Sequence, residues 1–232
     1  MEGIISIIPA RGSSKGIPRK NIKLLNGAPL ISYTINTAKQ SKHIERVIVS
    51  TEDAEIKNVA QKYGAEIIDR PIELAQDNIP TLPVLQHAIQ KLQDNNQKVK
   101  LIVLLQPTSQ FQKAEEIDEA IETILRGNWD SLISLSPVPK HFNPNWQKRL
   151  TENGQVINIL DGNPIDDDKK STHRQNLKQT YWKNGQIYIM TKETLMEKES
   201  LFGNRCISYI INREVVNIDT LDDWNHAEKL KS

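Results

Sequence analysis

The sequence predicts an α/β fold with a mostly parallel sheet flanked by helices. Apolar runs of strand length occur at residues 4–8, 46–50, 65–68 and 101–105. Segments with helical spacing lie between these runs, and the clearest carries Ile56, Val59, Ala60 and Tyr63 at positions i, i+3, i+4 and i+7. Strands that alternate with helices are typical of parallel sheets, because the crossover between two parallel strands is usually a helix.

Turn and cap signals place the first elements. Asn26-Gly27 predicts a turn, and Pro29 suits the first position of the helix that follows. Ser50 or Thr51 is expected to cap the second helix, and Gly64 to follow its last turn.

The alternation of strands and helices continues to a fifth strand at residues 131–135 and stops near Pro137. From there to about residue 184 the chain is rich in proline and polar residues, and residues 156–160 suggest one strand of a hairpin. We interpret residues 137–184 as an insertion that packs over one end of the sheet. Further strands are predicted at residues 186–190, 206–211 and 215–218. Thr220 and Asp223 predict a capping box for a last helix, which packs through Leu221, Trp224, Ala227 and Leu230.

Composition narrows the class of protein. The 232 residues are 38% hydrophobic and 25% charged, with a net charge of +1. Such a balance gives no general attraction to nucleic acid or membranes. The single cysteine, Cys206, excludes an intramolecular disulfide and a cysteine-cluster metal site, and its apolar surroundings predict that it is buried. The first residues lead directly into an apolar run, and no stretch reaches the roughly 20 apolar residues of a membrane span. A cytoplasmic enzyme or binding protein is expected.

Residues 9–21, which we call the basic loop, form the feature that most clearly predicts ligand binding. They follow the first strand and contain Gly12, Gly16 and the cations Arg11, Lys15, Arg19 and Lys20. Glycines permit positive φ angles and close backbone approach, and successive N–H groups can hold phosphate oxygens. The spacing fits neither GxxxxGK[ST] nor GxGxxG. The alternative is a solvated basic turn after an edge strand.

Polar residues also follow other predicted strands. Arg70 follows the third strand, Gln106, Thr108 and Ser109 follow the strand at 101–105, and Asp219 ends the strand at 215–218. Ligands of open α/β sheets bind beyond the carboxyl ends of the strands, so we expect these side chains to meet at one rim.

Several segments resemble the CMP-sialic acid synthetases (acylneuraminate cytidylyltransferases). They are IIPARGSSKGIPRKNIKLLNGAPLI at the start, DRPIELAQD around Arg70, LLQPTS at residues 104–109, RQNLKQTYWKNGQIYI from Arg174 and NIDTLDDW near the end. The match spans nearly the whole chain in the family's order. It implies one Rossmann-like cytidylyltransferase domain over residues 1–232, CTP and a nine-carbon 2-keto sugar acid as substrates, a divalent metal, normally Mg²⁺, and a homodimer. The insertion would then serve dimerisation or cover the substrate.

The resemblance also implies residue roles. Arg11, Lys20 and Asp219 would be catalytic, Asp219 and Asn217 would hold the metal, and Gln106, Thr108 and Ser109 would face the sugar acid. Further substrate contacts would come from Gly12, Ser14, Lys15, Asn21, Arg70, Thr81, Arg174, Gln175 and Tyr181. Several of these residues have alternatives: Thr81 as a helix cap, Arg174 as a partner of the nearby acidic run, and Tyr181 as a contact to a dimer partner. Arg70 has the alternative of a surface arginine on a proline turn, and residues 106–109 that of a turn with a side-chain hydrogen bond.

Three positions depart from the family pattern. Asn217-Ile218-Asp219 stands where the family commonly has Asp-x-Asp, Gln110-Phe111-Gln112 replaces Pro-Leu-Arg, and Lys178 replaces a proline. Asparagine can ligate a hard cation through its oxygen but brings no charge. Since the changes lie on the acceptor and metal side, they favour an unusual acceptor such as legionaminic or pseudaminic acid over N-acetylneuraminic acid.

Two other functions compete with this one. A glycosyltransferase that uses a finished nucleotide sugar would hold a metal through an Asp-x-Asp motif, and Asp166 and Asp168 have that spacing within a polar loop. An inactive nucleotide-binding homologue is the other alternative, because Asn217 replaces a carboxylate. Release of pyrophosphate separates a synthetase from both.

Overall fold

The computed structural model describes residues 3–94, 98–165 and 177–230. Contacts divide the chain into a larger unit, Met1–Ser134 with Asn184–Tyr209 and Glu214–Ser232, and a smaller unit, Leu135–Lys183 with Ile210–Arg213. The role predicted for residues 137–184, in dimerisation or in covering the substrate, stays a prediction.

The strands in chain order are β1 (Gly3–Pro9), β2 (Leu24–Leu25), β3 (Ala28–Pro29), β4 (Arg46–Thr51), β5 (Glu66–Asp69), β6 (Val99–Leu104), β7 (Ser109–Gln110), β8 (Ser131–Pro137), β9 (Lys148–Leu150), β10 (Val156–Asn158), β11 (Tyr181–Thr191), β12 (Cys206–Ile210) and β13 (Val216–Asn217). The helices are α1 (Leu30–Gln40), α2 (Ala54–Lys62), α3 (Thr81–Asp94), α4 (Ala114–Leu125), α5 (Lys192–Met196) and α6 (Leu221–Lys229).

The main sheet has the strand order β12-β8-β11-β6-β1-β4-β5. β1 is parallel to both β4 and β6, β4 is parallel to β5, and β11 is antiparallel to β6. The mostly parallel α/β fold predicted from the sequence is therefore confirmed. Because β6, β1, β4 and β5 run in one direction, the segments that follow them emerge at the same edge of the sheet.

Buried branched side chains explain why these segments form the sheet. Ile7, Ile48 and Ile102 lie on three adjacent strands, and each is fully buried. They pack in one apolar cluster with Leu85 and Ile89 of α3. The cluster fixes α3 against the sheet, and with it the residues that precede the helix.

Most of the predicted turns and helix caps occur in the structure. Asn26 and Gly27 have φ angles of 47° and 86° and join β2 to β3. Such angles match the two-residue turn that suits the twist of a hairpin. Pro29 immediately precedes α1 as its N-cap, one position earlier than predicted. Thr220 and Asp223 form the predicted capping box.

Three predictions about single residues were wrong. Asp53 caps α2 by accepting the N–H of Ile56, whereas Ser50 and Thr51 are buried at the end of β4. Leu221 is 56% exposed, because it is the first residue of α6, whereas Trp224 and Ala227 further along the helix are buried. Cys206 is exposed, because β12 is the last strand at one side of the sheet.

The smaller unit contains the predicted hairpin. β9 and β10 are antiparallel, with Leu150 opposite Val156 and Lys148 opposite Asn158. Many of its large apolar side chains are exposed: Phe142, Trp146, Leu150, Val156, Ile159, Leu160, Ile165, Tyr181 and Trp182. Among the described residues of the whole chain, no helix has the length and apolar character needed to cross a membrane.

Candidate functional site

A cleft of about 540 Å³ lies in the larger unit at the carboxyl ends of β1, β5 and β6. It is lined by four stretches of chain: Pro9, Arg11, Ser14, Lys15, Gly16, Lys20 and Asn21 of the basic loop; Arg70, Leu74, Gln76, Asp77, Ile79, Pro80, Thr81 and Val84; Gln106, Pro107 and Thr108; and Asp219. Ligands of parallel sheets bind beyond the carboxyl ends of the strands, which we call the strand-end rule. As this rule predicts, the basic loop, Arg70 and the segment after β6 lie at one rim. Asp219 reaches the rim by another route, because β13 pairs with β7 in a separate two-stranded sheet.

Asp77 holds two cations of the basic loop. Its Oδ1 lies 2.8 Å from Arg11 Nη2, and its Oδ2 lies 3.0 Å from Lys15 Nζ. Arg11 Nη1 also donates to the carbonyl oxygen of Gln76 at 3.3 Å. The hydrogen bond from Lys15, with the charge of Arg11 adding to it, holds the pKa of Asp77 below its usual range. A carboxylate therefore occupies the partners that an anionic ligand would use.

Lys20 joins the basic loop to the segment that carries Asp219. Its Nζ donates to the carbonyl oxygen of Ile218 at 2.6 Å and to Asp219 Oδ1 at 3.0 Å. The side chain of Lys20 is 12% exposed, whereas that of Asp219 is 74% exposed. Gly16 packs against the same segment, since a Cβ at this position would collide with the carbonyl oxygen of Asp219. Close approach, and not a positive φ angle, is what requires glycine here.

Arg19 faces away from the other three cations of the basic loop. Its guanidinium binds both carboxylate oxygens of Asp53, with Nη2 2.9 Å from Oδ1, and it also contacts Glu55. The hydrogen bond from Arg19 lowers the pKa of Asp53 to about 2, against the opposing effect of burial. The left-handed backbone of the loop lies at Arg19, with φ 55°, and not at Gly12 or Gly16, whose residue type permits it.

Glu52 is a residue that the sequence reasoning missed. Its Oε1 accepts the N–H of Gly12 at 2.7 Å, and its Oε2 accepts Arg70 Nη2 at 2.8 Å. The side chain of Arg70 is only 4% exposed, so this contact is shielded from solvent. Glu52 immediately follows β4, and the strand-end rule applied to Arg70 and Gln106 would also have selected it.

Asn21 and Thr81 both line the cleft. Asn21 is buried, and its Nδ2 donates to the carbonyl oxygen of Arg11 at 2.9 Å, which fixes the backbone beside the cleft. Thr81 is the first residue of α3 and also lines the cleft.

Ser109 and Asn217 contact each other and are not among the residues that line the cleft. Ser109 Oγ lies 2.7 Å from the carbonyl oxygen of Gly185 and 3.0 Å from Asn217 Oδ1. Asn217 Nδ2 donates to the carbonyl oxygen of Asn184 at 3.0 Å. Both ends of the Asn217 amide are therefore hydrogen-bonded within the protein. No group of three or more His, Cys, Asp or Glu side chains suited to a metal occurs in residues 3–94, 98–165 and 177–230.

Two of the three residues at positions 110–112, where the sequence departs from the pattern it otherwise resembles, are buried. Gln110 and Gln112 are buried, and their amides donate to the carbonyl oxygens of Pro107 and Gln186, each at 2.6 Å. Phe111 between them has a φ of 61°, a backbone angle that is unusual for a bulky residue.

The remaining candidates lie elsewhere. Arg174 and Gln175, like Asp166 and Asp168, are outside the described residues. Tyr181 begins β11 in the smaller unit, where it is 46% exposed.

Comparisons with known proteins agree on one family. The sequence profile of the cytidylyltransferase family matches residues 5–226. The chain is similar to the N-acylneuraminate cytidylyltransferase of Streptococcus agalactiae serotype V, with 33% identity over 226 residues that cover 96% of this chain and 52% of the relative. It is similar to the CMP-N,N'-diacetyllegionaminic acid synthase of Legionella pneumophila, with 34% identity over 239 residues that cover 98% of this chain and 95% of the relative.

The chain thus spans about half the length of the streptococcal relative and nearly all of the Legionella one. A solved structure of CMP:2-keto-3-deoxy-manno-octonic acid synthetase complexed with CTP has a similar fold, with a TM-score of 0.73 and 13% identity. That likeness covers 98% of this chain and 97% of the other. On the strength of the matched profile and of these relatives, the chain belongs to the cytidylyltransferase family.

Proposed function

We propose that the protein transfers CMP from CTP to the anomeric hydroxyl of a sialic-acid-like nonulosonic acid and releases pyrophosphate. The observation that carries this proposal is the cleft of a cytidylyltransferase-family chain in which Arg11, Lys15, Lys20 and Arg70 lie together at the strand ends. The names of the two relatives support both the reaction and the class of acceptor. We also propose a cytoplasmic location, where CTP is available.

The cleft side chains act by binding and orienting the nucleotide. Nucleotidyl transfer requires the attacking hydroxyl to be aligned with the α-phosphorus, and it requires positive charge where the leaving pyrophosphate gains charge. Arg11, Lys15 and Lys20 come from the basic loop, and Arg70 comes from the segment after β5. On binding, the phosphate oxygens would replace Asp77 as the partner of Arg11 and Lys15. Asn21 would keep the backbone of Arg11 in place meanwhile.

The family implies a divalent cation, and Asp219 is the residue that fits one. Magnesium commonly takes one or two protein carboxylates and completes its shell with substrate phosphates and water. The carboxylate of Asp219 lines the cleft and is largely exposed. The amide of Asn217 fits less well, because Ser109 and Asn184 already engage it. When bound, the ion would neutralise charge on phosphate oxygens.

The sugar acid is proposed to bind beside the polar residues that follow β6. Gln106 and Thr108 line the cleft and carry polar groups suited to a sugar acid. Ser109 instead donates a hydrogen bond to Asn217 of β13. We retain Arg174, Gln175 and Tyr181 as proposed contacts of the acceptor. Because relatives named for sialic acid and for legionaminic acid have almost the same identity to this chain, N-acetylneuraminic, legionaminic and pseudaminic acids all remain acceptors to be tested.

We also propose that the protein is a homodimer formed through the smaller unit. Nine large apolar side chains are exposed in the part of this unit that the structure describes, and protein interfaces bury apolar surface of this kind.

Pyrophosphate release tests the reaction. The protein is incubated with CTP, Mg²⁺ and each of the three acids in turn, and release with one acid identifies the acceptor. Lys20→Ala is expected to lower kcat/KM at least a hundredfold, because it removes a charge from the cleft and unties the basic loop from residues 218–219. Lys57→Ala, which loses an ion pair with Asp69 outside the cleft, is the matched control. Binding of CTP without release with any acid would instead favour an inactive nucleotide-binding homologue.

A further inference from the structure

Glu52 lies between two parts of the proposed triphosphate site. It follows β4, and its two carboxylate oxygens accept one hydrogen bond each, from the N–H of Gly12 and from Arg70 Nη2. Among the described residues that line the cleft, Arg70 is present and Glu52 is not. Glu52 lines a separate depression on the other side of the basic loop, together with Gly12, Arg19 and Asp53. Glu52 is therefore not placed to contact a ligand in the cleft, and it can orient the groups that do so only through its partners.

We propose that Glu52 is a positioning residue that holds Arg70 and the basic loop in the arrangement that binds the triphosphate of CTP. The proposal rests on the function proposed above, and it assigns to Glu52 a role in the binding of the nucleotide.

The contacts of Arg70 show why its orientation depends on Glu52. The backbone N–H of Arg70 donates to the carbonyl oxygen of Thr51 at 3.1 Å, which fixes the main chain but not the side chain. Arg70 Nε is buried and has no hydrogen-bond partner among the described residues. The contact from Nη2 to Glu52 is consequently the bond that orients the guanidinium, and a single orientation is what bidentate recognition of phosphate needs.

The same carboxylate also fixes the basic loop. Gly12 lies next to Arg11, whose side chain lines the cleft, so the bond from the N–H of Gly12 restrains the start of the loop. One side chain thus links the segment after β1 to the segment after β5. Its neighbour Asp53 restrains the loop a second time through Arg19, on the side away from the cleft.

The charge of Glu52 and its hydrogen bonds predict opposite changes in phosphate affinity when the carboxylate is replaced. The direction of the measured change therefore tests the proposal. A carboxylate beside Arg70 opposes the binding of an anion, so an effect of charge alone predicts that Glu52→Gln binds phosphates more tightly. An amide has only one acceptor oxygen and can keep only one of the two hydrogen bonds. Loss of position therefore predicts weaker binding.

The experiment measures binding of CTP and of inorganic tripolyphosphate by calorimetry, without an acceptor. Glu52→Gln is expected to bind both about tenfold more weakly than the wild type, a loss typical of residues that orient ligand-binding side chains. Glu66→Gln is the matched control, because Glu66 pairs with Arg46 in an exposed contact outside the cleft, and it is expected to bind like the wild type. Equal or tighter binding by Glu52→Gln overturns the proposal.

A double variant tests whether Glu52 acts through Arg70. Adding Glu52→Gln to Arg70→Ala is expected to weaken binding no more than about threefold beyond Arg70→Ala alone, because the side chain of Arg70 is gone and only the bond to the N–H of Gly12 can still be lost. Full additivity of the two changes overturns the proposal. If Glu52→Gln does not fold at the assay temperature, Glu52→Asp replaces it, since it keeps the charge and shortens the reach. Weaker binding by Glu52→Asp supports positioning, and unchanged binding contradicts it.

Failure of the reaction and failure of this inference give different results. A wild type that binds CTP but releases no pyrophosphate with any acid contradicts the proposed reaction, and the binding comparison still decides the role of Glu52. A wild type that releases pyrophosphate alongside a Glu52→Gln variant with undiminished CTP affinity contradicts only the role of Glu52.

Discussion

At the scale of single residues, each cation that lines the cleft contacts a carboxylate. Arg11 and Lys15 share Asp77, Lys20 contacts Asp219, and Arg70 contacts Glu52. The pairs differ in exposure: Asp77 and Asp219 are open to solvent, whereas Glu52 and Arg70 are shielded from it. An incoming triphosphate is therefore expected to displace the exposed carboxylates and to leave the shielded pair intact.

Asp77→Asn tests this displacement. Removing a charge that occupies both Arg11 and Lys15 is expected to tighten CTP binding about threefold to tenfold at low salt, which is the range expected for two exposed ion pairs. The gain should shrink at high salt because exposed charges are screened. Calorimetric titrations at two ionic strengths provide the measurement. Asp69→Asn, which loses an exposed pair with Lys57, serves as control. Weaker CTP binding by Asp77→Asn would show that Asp77 supports the loop instead of competing with the ligand.

Asn217→Asp tests whether position 217 serves a metal or the fold. A carboxylate here cannot donate to the carbonyl oxygen of Asn184, so the free energy of unfolding is expected to fall by about 1–3 kcal/mol. Affinity for Mn²⁺ in the presence of CTP should stay unchanged, whereas Asp219→Asn should lower it. Denaturant melts and Mn²⁺ titrations measure the two effects. A stable Asn217→Asp variant with tighter Mn²⁺ binding would return residue 217 to the metal site.

Sequence reasoning selected many of the cleft residues because strand ends in a parallel sheet converge, and Arg11, Lys20, Arg70 and Gln106 all follow predicted strands. It could not assign partners to charges. Arg19 has the same chemistry as Arg11 and lies in the same loop, yet it binds Asp53 on the outer side. The direction of a side chain depends on loop geometry and on distant carboxylates, and neither is visible in local spacing.

At the scale of elements, α2 is tied to the basic loop by its own N-cap. Asp53 accepts the N–H of Ile56 at 2.9 Å and also binds Arg19, so one carboxylate caps the helix and anchors the loop. The sequence placed this cap at Ser50 or Thr51. Both are good capping residues by type, but β4 extends through Thr51 and moves the start of α2 to Ala54.

Asp53 predicts an acid-dependent loss of stability. Its pKa in the folded protein, about 2, lies below the ordinary value of 3.8, so its contribution to stability is present above about pH 4 and is lost as the pH falls toward 2. Asp53→Asn keeps a capping oxygen but loses the ion pair, and it is expected to cost about 1 kcal/mol near neutral pH and less at pH 2. Chemical denaturation across this range is the measurement. The exposed Asp222→Asn is the control, and a constant deficit for Asp53→Asn at every pH would contradict the assignment.

At the scale of the whole molecule, the two units differ in how well the sequence predicts them. Strand and helix periodicity predicted the larger unit because its elements bury regular apolar faces, as Ile7, Ile48 and Ile102 do. The smaller unit exposes much of its apolar surface, and only its hairpin had a clear signal. Segments whose apolar residues stay exposed do not follow the periodicity of a buried face, so their spacing predicts little of their structure.

Leu150 and Leu160 test the proposed homodimer. Both belong to the smaller unit, and they are 67% and 63% exposed. Replacing both with glutamate is expected to convert the proposed dimer into monomers. The interface through the smaller unit would then have to bury the glutamate charges, which is costly. Light scattering after size-exclusion chromatography gives the mass. Leu221→Glu, an equally drastic change at an exposed leucine of the larger unit, should leave the dimer intact. A wild type that is already monomeric would exclude this interface.

The contact of Lys20 with Ile218 also has a consequence for folding. The two residues are 198 positions apart, and their hydrogen bond closes the rim between the basic loop and Asp219. A pairing this distant in sequence forms only after the intervening chain has been brought together, and such contacts slow the folding of a domain. On the ribosome, Lys20 of the basic loop emerges 198 residues before its partner Ile218. A nascent chain is therefore expected to acquire affinity for CTP only after residues 218–219 have emerged, when the parallel strands are already available to pair.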